Sequence, residues 1–80
     1  MTASLPSQAL SNIHLGQKAH LDRTAIDKKL EKKLLALGFS TLNPLQLIQK
    51  RSGGIVVAIG NTRIALDQAL ANKIIVKVDQ

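Results

Sequence analysis

Residues 54–78 read GIVVAIGNTRIALDQALANKIIVKV, and they decide the fold. Ile55 to Ile59 is the longest uninterrupted apolar run in the chain. It is apolar on both faces, which predicts an internal β-strand. Gly60-Asn61 is a tight turn of the Gly-first kind, and Arg63 to Leu66 is the returning strand. Asp67 then caps a short helical turn through Ala71, with Asn72 as its exit. Lys73 to Val78 closes the chain as a strand, with Ile74, Val76 and Val78 inward and Lys73, Ile75 and Lys77 outward.

Upstream, Ser52-Gly53-Gly54 reads as a hairpin turn. The strand before it starts at Pro44, which blocks helix; Leu45, Leu47 and Gln49 alternate with Gln46, Ile48 and Lys50. Further back lies a helix. Thr24 caps it with Asp27 three residues on, a carboxylate version of the capping box. Ile26, Leu30, Leu34 and Leu37 fall within a stripe of about 80°, and Gly38 ends the helix in the left-handed conformation. From Gln17 to Arg23 the chain alternates, with Ala19 and Leu21 on one face and Lys18, His20 and Asp22 on the other, a half-buried strand. Residues 1–9 read as a flexible tail and residues 10–80 as one domain. Strand, helix, three meandering strands, helical turn and strand give a mainly β chain. About five short strands solve their edge problem by curling into a small SH3-like barrel, with the helix inserted after the first strand.

Composition bounds the function. Eighty residues hold one domain. With no Cys there is no disulfide scaffold, thiolate zinc site, iron–sulfur cluster or cysteine nucleophile. One Phe, with no Trp or Tyr, excludes an aromatic platform for single-stranded nucleic acid. Ile, Leu and Val account for 25 of the 80 residues, too many for a disordered chain. The N-terminus has no apolar run behind a basic start, and no apolar stretch approaches the roughly 18 residues of a membrane helix. The chain reads as a soluble cytoplasmic protein. Its net charge of +6 favours acidic partners. Half of that charge comes from residues 17–33, where Lys28 and Lys32, and Lys29 and Lys33, stand four apart on the helix. Each like-charge pair costs about 0.2–0.5 kcal/mol in an isolated helix. Asp27 and Glu31 offset only part of this. A solvated face is the ordinary reading; a face kept for a partner is the functional one. Leu35 projects among these lysines, opposite Ile26.

Three blocks resemble the ferrous iron transport protein A (FeoA) family. They are Gly16-Gln17 followed by Ala19 and Leu21; Lys33-Leu34-Leu35-Ala36-Leu37-Gly38-Phe39; and Ile64-Ala65-Leu66 with Ala71, Ile74 and Val76 at their spacing. Together they span about residues 10–78. Departures are Lys33 where the family usually has Arg, Thr41-Leu42 where it has a Pro-Gly turn, a short Ser52-Gly53-Gly54 loop without proline, and Asp67 where a basic residue often follows the Leu. The resemblance implies a small cytosolic accessory protein of bacterial ferrous iron uptake. It implies no catalysis and no cofactor of its own. The implied partner is FeoB, a membrane transporter with a cytosolic GTPase domain, and the membrane is reached only through it. Lys28, Lys29, Lys32, Lys33 and Leu35 are then the candidate contact residues.

No catalytic constellation is legible. The chain has one Glu and four scattered Asp, His14 and Ser11 are mere neighbours, and no G-x-x-x-x-G-K-[ST] pattern occurs. His20 and Asp22, two apart on one strand face, are weak metal candidates, since ferrous iron accepts imidazole and carboxylate; an exposed His beside an Asp is more often simply solvated. A basic nucleic-acid-binding barrel is the alternative function. Against it stand three Arg to eight Lys, the missing aromatics and the dispersal of Lys50-Arg51 from the helix. A third reading is the sensor domain that such barrels form at the C-terminus of metal-dependent repressors, although no helix-turn-helix segment precedes it here.

Overall fold

A computed structural model describes residues 7–40 and 42–78. Its elements are β1 (Ser7–Ala9), β2 (Lys18–Leu21), α1 (Lys28–Leu37), β3 (Leu45–Arg51), β4 (Gly54–Ile59), β5 (Thr62–Asp67), α2 (Gln68–Lys73) and β6 (Ile75–Val78), with single 3-10 turns at Leu10–Asn12 and Arg23–Ala25. The strands form one six-stranded sheet in the order β1-β6-β2-β3-β4-β5, and every neighbouring pair is antiparallel.

The mainly β, SH3-like architecture is present, with six strands in place of about five. No ladder joins β1 to β5 among the described residues, so the sheet curls without closing by hydrogen bonds. The opening is filled by α2, which touches β1 and the Leu10 turn on one side and β4 and β5 on the other. Leu10 N donates to Ile74 O at 2.7 Å, extending the β1–β6 pairing by one residue just past the helix. An edge covered by a helix is protected from pairing with other chains.

β3, β4 and β5 form the meander the sequence predicts. Gly60 has φ +58° while Asn61 does not enter positive φ, as a II′ hairpin turn requires. Gly54 is demanded by packing: a Cβ there would lie 2.2 Å from Leu66 O. Leu45, Leu47, Val57, Ile59, Ile64 and Leu66 point inward and are buried with Ala19, Val76 and Val78. A bulge between Leu47 and Gln49 corrects the simple alternation of β3. The extra residue is Ile48, so Gln49 leaves the inner face and pairs with the half-buried Val56.

The N-terminal tail is corrected in part. Ser7–Ala9 pair with Ile75–Lys77 as β1, a strand too short to show a period; residues 1–6 of that expectation, with residues 79–80 of the domain and Thr41, lie outside the described residues. The helix start is corrected too. Thr24 sits in a 3-10 turn capped by Asp22, and Asp27 itself caps α1, its Oδ1 accepting from Leu30 N at 2.7 Å. A carboxylate accepts these orphan amides better than a threonine hydroxyl does, so the later position wins. α1 ends on Gly38, at φ +114°. Gly38 N donates to Leu35 O at 3.2 Å and Phe39 N to Leu34 O at 3.0 Å. That pair of hydrogen bonds closes a Schellman motif and returns Phe39 to the core with Leu34.

Candidate partner-binding surface

α1 rests on the sheet through few side chains. Leu34 is fully buried, and Ile26 and Leu30 are half-buried against the core. Leu37, expected in the same stripe, is instead 42% exposed. Phe39, turned back by the Gly38 cap, reaches the core in its place.

The opposite side of α1 carries the lysines. At about 100° per residue, Lys28, Lys29, Lys32 and Lys33 occupy the arc facing away from Leu34, and all four are exposed. They fall into two pairs. Lys28 and Lys32 share a flank with Leu35, which is 46% exposed. Lys29 and Lys33 share the other flank with Leu37. The acids near them are already engaged: Glu31 pairs with Arg23, and the Asp27 carboxylate is the helix cap.

Beside the second flank the last turn of α2 brings up Lys73. Lys29, Lys33 and Lys73 line one groove of about 330 Å³, with Leu30 in its wall and Asp27 as the only acid lining it among the described residues. Lys73 was expected as an outward strand residue, because Asn72 reads as a helix exit. The helix runs two residues further, from the expected Ala71 to Lys73. Ala71 is fully buried, and Ile74, also fully buried, is the extended residue that follows the helix. No local signal brings Lys73 to α1; that placement is tertiary.

His20 lies on β2 and Asp22 just past its end. His20 pairs in register with Lys77. Asp22 is 7% exposed. Its Oδ2 accepts from the Ser7 hydroxyl, and its Oδ1 accepts from Thr24 Oγ1 at 2.6 Å and Thr24 N at 3.1 Å. The Ser7 hydrogen bond first, and the Thr24 hydroxyl next, hold its carboxyl below the usual value of 3.8. Among the described residues no group of three or more His, Cys, Asp or Glu side chains could hold a metal ion. No helix among them is long and apolar enough to cross a membrane.

A second hollow, of about 430 Å³, lies over the β3–β4 hairpin and is lined by Gln49, Arg51, Gly54, Val56 and Ala65 among others. With its amide oxygen toward the guanidinium, Gln49 accepts from Arg51 at 2.7 and 2.9 Å, which lays that side chain along the strand.

Residues 8–78 match the family model of the FeoA domain. No curated protein matches the chain. Among solved structures, the chain is similar to the crystal structure of an iron uptake regulatory protein (FeoA), with a TM-score of 0.76 and 23% identity over 94% of this chain and 100% of that one. A FeoA-like protein from Clostridium acetobutylicum superposes with a TM-score of 0.75 at 17% identity, over 100% of this chain and 92% of that one. A manganese-dependent transcriptional repressor also superposes, with a TM-score of 0.75 and 23% identity over 98% of this chain but only 45% of its own length. At these identities the structural likenesses carry the fold alone.

Proposed function

The chain belongs to the FeoA domain family, and from that premise we propose that it is a non-catalytic cytoplasmic accessory protein of ferrous iron uptake that binds the cytosolic GTPase region of a FeoB-type transporter. The observation that carries this reading is the FeoA domain match over residues 8–78. The surface chemistry agrees with a binding role. α1 exposes four lysines and two leucines while its acids are spent on a cap and an ion pair. Helix stability is sacrificed to hold like charges side by side, and charge of one sign on one face steers an acidic partner.

The direct experiment is a pull-down of the transporter's cytosolic region with the full chain, at low salt and in both nucleotide states. Retention in either state is the expected result, and no retention in both overturns the reading. Nucleic-acid binding is the second reading, favoured by the net charge of +6. Filter binding across a salt series separates the two: weak retention that falls steeply with salt and shows no sequence preference is counterion release alone.

A further inference from the structure

We infer that the groove between α1 and α2 is the docking site for a short acidic segment of a protein partner, and that Lys29, Lys33 and Lys73 receive its carboxylates while Leu37 receives an apolar side chain. This deepens the proposed binding role by choosing one side of the helix. The four lysines of α1 are equivalent in sequence, but the fold makes them unequal. Only Lys29 and Lys33 gain a third lysine from another element, and with it a shared concavity of about 330 Å³. Lys28 and Lys32 line none of the described hollows.

Among the described residues the groove holds three ammonium groups against one carboxylate, and that carboxylate already accepts from Leu30 N at 2.7 Å. None of the three lysines has an ion-pair partner among the described residues. Like charges gathered in a concave site raise the local concentration of the opposite charge. The wall is apolar at Leu30, and helical geometry places Leu37 one turn beyond Lys33 on the same flank. Ammonium groups beside an exposed leucine match a peptide that carries both acidic and apolar side chains, whereas a free anion would use the lysines and leave Leu37 uncovered.

The test is an NMR titration of the full chain with an acetylated Glu/Leu dodecapeptide, run beside inorganic phosphate. The expected result is movement of the Lys29, Leu30, Lys33, Leu37 and Lys73 amides with peptide. Lys29→Glu/Lys33→Glu, and separately Lys73→Glu, should weaken binding roughly tenfold or more. Lys28→Glu/Lys32→Glu, equal in charge and on the same helix, should weaken it far less. The inference is overturned by shifts that map to another face, by no shifts at millimolar peptide, by equal loss in the two double variants, or by phosphate moving the same amides while Leu37 stays still. The transporter pull-down keeps the two readings apart. Transporter retention unchanged in Lys29→Glu/Lys33→Glu defeats this inference alone, and no retention of the unaltered chain defeats the transporter reading while the titration still decides this one.

Discussion

The Ser7 hydroxyl donates to Asp22 Oδ2 across fifteen residues of sequence, fastening β1 to the turn that follows β2. Thr24 supplies the rest of the carboxylate's partners. Because these bonds favour the charged form, the folded-state pKa of Asp22 lies below 3.8. The stabilisation is therefore complete above the unfolded value and is lost as pH falls through the folded one. Ser7→Ala should move the Asp22 pKa up toward 3.8 and shrink the stability lost on acidification. A carboxyl NMR titration and urea unfolding at acid and neutral pH check both. An unmoved Asp22 pKa would show that Ser7 does not matter.

The same geometry bears on iron. The hydrogen bonds from Ser7 and Thr24 occupy most of the acceptor capacity of the Asp22 carboxylate, and a ferrous ion that displaced them would strip groups costly to leave without partners. Anaerobic titration with micromolar ferrous iron should leave the Asp22 and His20 signals unbroadened. Broadening confined to those two residues and abolished by His20→Ala would instead identify them as ligands.

Leu34 and Leu37 carry the same side chain three residues apart, yet the first is 0% and the second 42% exposed. Leu34→Ala should cost about 2–4 kcal/mol; Leu37→Ala should stay within about 0.5 kcal/mol. Chemical denaturation midpoints decide. Equal costs would mean that Leu37 is packed after all.

That contrast also shows which features local sequence could carry. The meander from Leu45 to Asp67 was legible because each turn is written in adjacent residues: Gly60-Asn61 sets one reversal and Ser52-Gly53 the other. Gly38 likewise announced the end of α1. β1 was not legible, since three residues have no period and owe their conformation to pairing with Ile75–Lys77. The bulge at Ile48 was equally hidden, because an extra residue in a strand leaves no compositional mark. The helix start was a competition between two good caps, Thr24 and Asp27, that only the tertiary path resolved. The candidate surface was half legible. The lysine spacing was there to read, but Lys73 joins Lys29 and Lys33 through the docking of α2.

Gly54 and Gly53 offer a paired test of the hairpin. A Cβ on Gly54 would stand 2.2 Å from Leu66 O, whereas one on Gly53 meets nothing within 4 Å. The first clash is with backbone held in the β4–β5 ladder, so strands must shift to relieve it. Gly54→Ala should therefore destabilise the chain by about 1–3 kcal/mol, and Gly53→Ala by less than about 0.5 kcal/mol. Urea unfolding of both variants checks the difference, and a neutral Gly54→Ala would refute the close approach.

Asp27 joins the fold and the groove in one side chain. It caps α1 through Leu30 N and, among the described residues, is the only acid lining the site of Lys29, Lys33 and Lys73. Asn caps a helix about as well as Asp, so Asp27→Asn keeps the cap and removes the opposing charge. Stability should fall by no more than about 0.3–1 kcal/mol, the share owed to the helix dipole. Affinity for an acidic peptide should rise, by roughly two- to fivefold for one exposed like charge removed. Asp27→Ala loses the cap as well and should cost about 1 kcal/mol or more, with the same gain in affinity for whatever remains folded. Denaturation curves and peptide titrations on the two variants separate the roles. If Asp27→Asn leaves acidic-peptide affinity unchanged, the carboxylate does not face the ligand and the groove is not where the peptide binds.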